Sequence, residues 1–212
     1  MQELTISFLN MEQGEISVAA LALHMNTLEK QMVSFAPWPA YSYKPNVSFS
    51  IAYGTACIYL KYFVDEKRIR AAAGHSNGKV WEDSCVEFFI SFDDAGYYNL
   101  EFNCIGTGLI GFGKEGKDRR LVPEEVIRKI KVCVLITKEN EDNIHWELTL
   151  KIPLEVFTFH HLTSLKGRKC TANFYKCGDG LDEPHYLAWS NIIAPEPNFH
   201  LPQYFGTLYF EE

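Results

Sequence analysis

The chain has 212 residues, with 20 Lys and Arg against 27 Asp and Glu, so its net charge is −7 and its pI is about 5.5. This acidic balance, together with strand-length apolar runs, excludes nucleic acid as a main partner and predicts no insertion into a membrane. The chain is rich in aromatic residues (15 Phe, 11 Tyr and 4 Trp), which favours β-structure and ring-stacking surfaces.

The first predicted element is a helix, and strands dominate from about residue 47 onward. Val18–Glu29 has helical spacing, although the opening 40 residues give the least regular pattern of the chain. Pro123–Lys129 and Pro153–Phe157 predict short helical turns, the second with proline at its first helical position. Alternation with period two predicts strands at Val47–Tyr53, Ala56–Val64, Val86–Phe92, Tyr97–Asn103, Ile130–Thr137, Ile144–Lys151, Lys169–Lys176, Tyr186–Ser190 and Gly206–Phe210.

This rhythm predicts an all-β fold, an antiparallel β-sandwich with a few short helical turns. Because no linker, repeat or low-complexity tract interrupts the chain, we expect residues 1–212 to form a single domain. The segment Gly106–Gly111 matches the G-x-G-x-x-G pattern of dinucleotide sites, but the polar, glycine-rich sequence after it cannot begin the required helix. We therefore interpret this segment as a glycine-rich strand end and turn.

The cysteines and the N-terminus bear on the compartment in which the protein works. None of the six cysteines lies in a C-x-x-C motif or has zinc-ligand spacing to histidine, so we expect reduced, buried thiols. A disulfide between Cys170 and Cys177 stays open as the alternative. The N-terminus lacks the features of a secretory signal, which predicts a cytoplasmic protein, or a periplasmic or extracellular one if a leader was removed.

The most informative stretch begins at Trp81 and reads Trp-Glu-Asp-Ser-Cys-Val-Glu-Phe-Phe-Ile. As a strand it places Glu87 on the face opposite its apolar residues, and the next strand does the same with Asn99, Glu101 and Asn103. A four-residue turn makes the two strands neighbours, so these polar groups share one face of a sheet. Carboxylates and amides suit the hydroxyls of a sugar, whose ring Trp81 could stack upon. The alternative is a solvated face with Trp81 packed against a loop.

A second informative stretch lies near the C-terminus. It contains Ala-Trp-Ser-Asn from Ala188 and Asn-Phe-His-Leu-Pro-x-x-Phe-Gly-x-Leu from Asn198. Three prolines within Pro195–Pro202 predict an ordered loop that carries Phe199 near its tip. Trp189, in contrast, lies on an apolar strand and is expected in the core.

Together the two stretches resemble the carbohydrate-binding module family 9-like domains, over roughly residues 40–212. The resemblance implies a non-catalytic β-sandwich that binds a mono- or oligosaccharide between two aromatic rings. Family members often bind the end of a sugar chain and commonly accompany glycoside hydrolases, which implies a role in glycan breakdown.

The resemblance also implies the residues of the binding site. Trp81 and Phe199 would clamp the sugar ring, and Glu87 would be the hydrogen-bonding carboxylate. Phenylalanine in place of a second tryptophan weakens the stacking, and Glu101 stands where a basic residue can occur. The remaining implied contacts come from polar residues on two strands, with a tyrosine beside one of them: Glu101, Asn103, Asn173 and Tyr175.

No cofactor and no metal are expected in the binding site, but some family members carry structural calcium in loops. The oxygen ligands that calcium would need are available in turns, although no calcium-loop spacing supports them. These candidates are Asp93, Asp94, Asp179, Asp182 and Glu183.

Two other functions remain open at this point. A glycoside hydrolase or related sugar-active enzyme could use the pair Glu87 and Glu101, or the pair Glu82 and Asp83, as its two carboxylates. A haem-binding sandwich would need axial ligands, and no Met/His pair is obviously placed to provide them.

Overall fold

The computed structural model describes residues 1–10, 16–140 and 142–212. Residues 11–15, which belong to the opening segment of irregular pattern, and Glu141 lie outside the described residues. The strands of the described part are β1 (Glu3–Ile6), β2 (Gln31–Met32), β3 (Asn46–Gly54), β4 (Cys57–Glu66), β5 (Cys85–Asp93), β6 (Gly96–Asn103), β7 (Gly108–Gly113), β8 (Arg120–Leu121), β9 (Lys131–Asn140), β10 (Asn143–Pro153), β11 (Lys169–Cys177), β12 (Tyr186–Ala188) and β13 (Gly206–Phe210).

Within these described ranges the strands form two sheets, which confirms the predicted β-sandwich. The first sheet has the order β1-β13-β11-β5-β6-β7-β8, with β12 also paired to β11, and the second has the order β2-β3-β4-β10-β9. Neighbouring strands run antiparallel except for β1 and β13, which run parallel. The N-terminal strand therefore closes one edge of the first sheet, next to the C-terminal strand.

The main core lies between the two sheets and is built from the apolar residues of the alternating strands. Phe174 on β11 stacks on Phe49 of β3, with ring centroids 3.8 Å apart, and on Phe88 of β5, at 4.9 Å. Trp189 joins this core, as its apolar surroundings in the sequence predict. Along each strand of the first sheet, alternate side chains therefore point into this core, and the remaining ones point to the outer face.

The outer face of the first sheet is covered as well. A second apolar cluster, which includes Trp38, Phe89, Tyr97, Tyr175 and Phe205, lies on this face. As a result, every residue of β6 is buried, including the polar residues that alternate with its apolar ones. The polar face predicted for β5 and β6 is therefore enclosed and is not a solvated surface.

Three predicted helical segments are present but shorter than predicted. Helix α1 (Val18–Met25) begins after Ser17, whose hydroxyl oxygen accepts a hydrogen bond from the Ala20 N–H, and it packs on the outer face of the second sheet. Helix α2 (Glu124–Ile127) is a single turn. The third segment is a 3₁₀ turn at Leu154–Val156; Pro153 precedes its first position and ends β10.

The interpretation of Gly106–Gly111 as a strand end and turn is confirmed for Gly106 and Thr107, which connect β6 to β7, and is wrong from Gly108 onward, because Gly108–Gly113 forms β7. The glycines hide the alternation of this strand, yet they are needed for close packing. A Cβ atom at Gly108 would lie 2.5 Å from the Phe102 ring, and one at Gly111 would lie 2.7 Å from the Asn99 side-chain oxygen.

The cysteines of the chain carry free thiols. A disulfide between Cys170 and Cys177 is excluded, because the two residues lie at opposite ends of β11 and on opposite faces of its sheet. Within the described residues, no helix is both long and apolar enough to cross a membrane.

Candidate functional site

A cavity of about 410 Å³ opens on the outer face of the first sheet, above the end of β11 (Cys177), the beginning of β5 (Glu87) and the middle of β6 (Asn99 and Glu101). Four connecting segments form its walls, and the strands form its floor. The residues that line it are Trp81, Glu87, Asn99, Glu101, Leu109, Gly116, Arg119, Leu121, Cys177, Asp179, Tyr186, Pro197, Asn198, Phe199 and His200.

Two carboxylates lie side by side in the floor of this pocket. Glu87 of β5 and Glu101 of β6 are directly opposite each other in the antiparallel register, as the alternation predicts, and both are about 95% buried (4% and 5% exposed). Glu87 Oε1 accepts a hydrogen bond from the Cys177 thiol at 3.0 Å, and Glu101 Oε1 accepts one from the Asn99 amide at 2.8 Å. Glu101 Oε2 has no hydrogen-bond partner among the described residues. A buried oxygen of this kind is an unused acceptor in the pocket.

Burial governs the protonation of both acids. Desolvation raises the pKa of Glu87 well above its usual value, and the neighbouring Cys177 and Glu101 raise it further. Desolvation also raises the pKa of Glu101, to about 7, although the Asn99 hydrogen bond and the Arg119 charge act against it. The floor therefore combines a carboxyl group that favours its neutral form with one that titrates near neutral pH.

Arg119 orients the floor through Asn99. The Arg119 Nε donates to the Asn99 side-chain oxygen at 3.0 Å, and the Asn99 amide in turn donates to Glu101. The guanidinium is held by backbone carbonyls of Gly113 (3.0 Å) and Tyr97 (2.9 Å) and lies over the Tyr97 ring, 4.1 Å from its centroid. Arg119, from the connection between β7 and β8, thus brings a positive charge close to Glu101.

Trp81 forms one wall of the pocket from a 3₁₀ turn, Val80–Glu82, immediately before β5. Its carbonyl accepts a hydrogen bond from the Asp179 N–H at 3.1 Å, which ties this turn to the loop that follows β11. The side chain is half-buried, so part of the indole surface remains free to meet a ligand.

Desolvation raises the pKa of Asp179 to about 6, and Glu82 adds to this effect while a hydrogen bond from Tyr186 opposes it.

Phe199 lines the pocket from the loop that contains the three prolines. One face of its ring stacks on Tyr175, with centroids 4.1 Å apart and planes 7° from parallel. The Tyr175 hydroxyl also donates to the Phe199 carbonyl at 3.3 Å. Tyr175 is fully buried and does not line the cavity, so its place is behind the Phe199 ring.

Asn103 and Asn173, both predicted to contact a sugar, do not line this pocket. The Asn103 amide donates to the Ala73 carbonyl and to Asp83, and its oxygen accepts from the backbone of Thr107. Asn173 is occupied in the same way by the backbone of Ser190, to which it donates at 2.9 Å and from which it accepts at 2.8 Å. Asn103, at the end of β6, and Asn173, in the middle of β11, thus each hold a neighbouring loop in place.

Asp83, the third residue of the Trp-Glu-Asp-Ser motif, is also structural. Its carboxylate accepts hydrogen bonds from the backbone N–H groups of Ala72 and Ala73 and forms an ion pair with Arg70. Burial alone would raise its pKa, but these hydrogen bonds and the Asn103 amide lower it below the usual value. The motif thus joins a ring that lines the pocket, Trp81, to a carboxylate that fixes the preceding loop.

Sequence reasoning missed Arg119, Asp179 and Tyr186 as residues of the pocket and named Asn99 only as a polar neighbour. Arg119 lies in a charged segment with no periodicity. The pairing of β8 with β7 brings this residue, which immediately precedes β8, back to the floor of the pocket. Asp179 had a weak signal, since it follows a strand whose partner carries Glu87.

The calcium candidates are dispersed. Asp93 accepts from the Ala95 N–H in a hairpin turn, Asp179 lines the pocket, and Glu183 pairs with Lys67 at 3.1 Å. Structural calcium stays a prediction.

The model of carbohydrate-binding family 9 matches residues 17–210, which is most of the chain. No curated protein matches the chain.

Three solved structures share its fold. A Bacteroides uniformis protein that is proposed to bind carbohydrate is 40% identical, with a TM-score of 0.92 over 99% of each chain. Two structures of a family 9 carbohydrate-binding module from Caldicellulosiruptor kristjanssonii are 13% identical. The complex with cellotriose has a TM-score of 0.65 over 99% of this chain and 94% of that one. The complex with glucose has a TM-score of 0.62 over 99% and 96%.

Proposed function

The chain belongs to carbohydrate-binding family 9, and from this premise we propose that the pocket beside Trp81 holds one pyranose ring of a mono- or oligosaccharide without cleaving it. The observation that carries the proposal is the unpartnered Oε2 of Glu101, buried in the floor of a pocket with aromatic walls. A sugar hydroxyl is the neutral donor that would satisfy this oxygen.

The other groups of the pocket suit the same ligand. Trp81 presents an apolar ring surface on which the C–H face of a pyranose can stack, and Phe199, whose ring is mostly buried against Tyr175, adds apolar surface to the wall. The cavity volume lies near the lower end of the range for small-molecule sites, which is roughly 300–1,000 Å³. One well-held ring with few polar contacts is consistent with micromolar to millimolar affinity, about −8 to −4 kcal/mol.

Membership of carbohydrate-binding family 9 favours binding over hydrolysis. Glu87 and Glu101 come from neighbouring strands of the pocket floor, where both carboxyl groups can form hydrogen bonds with a ligand. Association with glycan breakdown is part of the proposal, because the resemblance places such modules beside glycoside hydrolases.

Isothermal titration with glucose and cellotriose tests the proposal. The wild-type protein should give saturable heat, and Glu101→Gln should bind at least about tenfold more weakly, since a hydrogen bond to a charged acceptor contributes roughly 1.5–3 kcal/mol. Glu155→Gln, which changes an exposed carboxylate beside Lys129, should bind as the wild type does. Equal affinity of both variants would argue against the pocket. Turnover of aryl-glycosides that is lost in Glu87→Gln would establish the hydrolase in its place.

A further inference from the structure

Two thiols and a carboxylate meet beneath the pocket. Cys85 of β5 and Cys177 of β11 are direct partners in the antiparallel register, and Glu87 lies two residues along β5 on the same face. The side chains of residues at such positions project together from one side of a sheet. Three ligand-type side chains therefore come from two adjacent strands, and no spacing rule along the chain would group them.

The ligand atoms of this trio are close enough to share an ion. Cys85 Sγ, Cys177 Sγ and a carboxylate oxygen of Glu87 all lie within 4.8 Å of one another, and Cys177 Sγ is 3.0 Å from Glu87 Oε1. In a tetrahedral zinc site with Zn–S bonds of about 2.3 Å, neighbouring sulfur ligands are about 3.8 Å apart. Small side-chain movements would thus bring the three atoms within bonding distance of one zinc ion.

We propose that Cys85, Cys177 and Glu87 bind a Zn²⁺ ion at the bottom of the pocket. Two thiolates disfavour calcium and magnesium, which prefer oxygen ligands, and a thiolate–carboxylate set is typical of zinc. Glu87 and Cys177 also line the cavity, so the ion reaches its ligands from there, and a water molecule from the cavity completes the tetrahedron.

Binding replaces protons by metal. Each thiol gives up its proton to the solvent as its sulfur–zinc bond forms, and Glu87 loses its proton if it carries one, so no oxidant or reductant takes part. Burial raises the pKa of Cys85 to about 12, and it raises that of Cys177 well above its usual value, with Cys85 itself contributing. The thiolates are therefore unfavourable without a cation, and the charge of zinc compensates both.

The test uses cobalt(II), which reports thiolate ligation by an intense near-ultraviolet charge-transfer absorption that zinc does not have. The full-length protein is first reduced and freed of metal, and six titratable thiols per denatured chain verify the reduction. We expect one equivalent of cobalt to produce the absorption and one equivalent of zinc to abolish it. No sugar is needed, so failure here leaves the sugar proposal untouched.

Variants locate the site. Cys85→Ser and Cys177→Ser should reduce the charge-transfer absorption and weaken metal binding by at least ~10-fold, because even the loss of an outer partner of a metal ligand costs about that much. Glu87→Gln keeps both thiols and should weaken binding while the absorption persists at saturation. Cys133→Ser removes a thiol from β9 of the second sheet and should behave as the wild type does.

Circular dichroism shows which variants are folded, and Glu87→Gln provides a test if a cysteine variant is not. Absence of thiolate absorption in the reduced wild-type protein would overturn the proposal. An unchanged spectrum in both cysteine variants would do the same.

Discussion

Tyr175 lies face to face with Phe199, with ring centroids 4.1 Å apart and planes 7° from parallel. Tyr175 comes from β11, a strand of the first sheet, whereas Phe199 belongs to a loop without regular structure. The stacking thus holds the ring of a loop residue in place against a residue of a strand. If Phe199 contacts a sugar, the position of the Phe199 ring depends on its stacking against Tyr175.

Removal of the Tyr175 ring should therefore weaken sugar binding although this residue does not line the pocket. Tyr175→Leu should reduce affinity for cellotriose about 3- to 10-fold, because a stacked aromatic pair contributes roughly 0.5–1.5 kcal/mol. Tyr175→Phe retains the stacking and loses only the hydrogen bond to the Phe199 carbonyl, so it should bind nearly as the wild type does. Isothermal titration measures both, and equal losses in the two variants would contradict the role of the ring.

Arg119 should affect sugar binding through Asn99 and Glu101. Arg119→Lys cannot keep the fork of hydrogen bonds to Asn99 and the carbonyls of Gly113 and Tyr97, so we expect about a tenfold lower affinity, or ~1.4 kcal/mol. The control is Arg120→Lys, which alters a neighbouring arginine that lies over the Phe159 ring outside the pocket. Titration calorimetry should show little change for this control. Similar losses in both variants would mean that the loss does not come from the hydrogen bonds that Arg119 makes in the pocket floor.

Asn103 should matter for stability and not for sugar affinity. Asn103→Ala leaves the Ala73 carbonyl, the Thr107 N–H and the buried Asp83 carboxylate each without one partner, so the free energy of unfolding should fall by about 2 kcal/mol. Urea denaturation measures this loss. Asn46→Ala, which removes an exposed hydrogen bond to Asp65, should cost under ~0.5 kcal/mol. A folded Asn103→Ala protein with greatly reduced sugar affinity would instead place Asn103 at the ligand.

The pocket loop should lose stability in mild acid through His200. Burial, assisted by the nearby Arg119 charge, lowers the pKa of His200 to about 4, whereas the unfolded chain has a value of about 6.5. Between these values the unfolded state binds more protons, so the free energy of unfolding falls as pH decreases, by at most about 1.4 kcal/mol per pH unit. This loss begins near pH 6.5 and ends near pH 4.

Nuclear magnetic resonance of the histidine rings checks this directly: the His200 imidazole should still be neutral at pH 5. His200→Asn should show a shallower decrease in unfolding free energy between pH 6.5 and pH 4.5 than the wild type, with the remainder due to other groups such as His185, whose pKa burial lowers to about 3. An identical pH slope in the two proteins would show that His200 titrates normally.

The relation of Glu87 to Glu101 could be predicted from the sequence because two physical constraints define it. Period-two alternation assigns each side chain to a face, and a short turn between β5 and β6 limits the register. The same reasoning placed Asn103 and Asn173 on the correct strands. It could not tell that both amides would be used by loop backbone, because that depends on where those loops end.

The remaining parts of the site depend on contacts between distant segments. Gly111 in β7 carries no side chain and so gives no alternation, yet its missing Cβ is what leaves room for the Asn99 oxygen. Arg119 reaches the pocket because the chain turns back over the sheet after β7. Cys85 contacts Cys177 because β5 and β11, which are far apart in sequence, are neighbours in the sheet. Such pairs have no local signature that a single sequence could reveal.

A crystal structure of the protein with bound cellotriose tests the central claim most directly. We predict one sugar ring in the pocket, stacked on Trp81, with a hydroxyl group within hydrogen-bond distance of Glu101 Oε2. A sugar bound on another face of the sandwich, with the pocket left to solvent, would contradict the account.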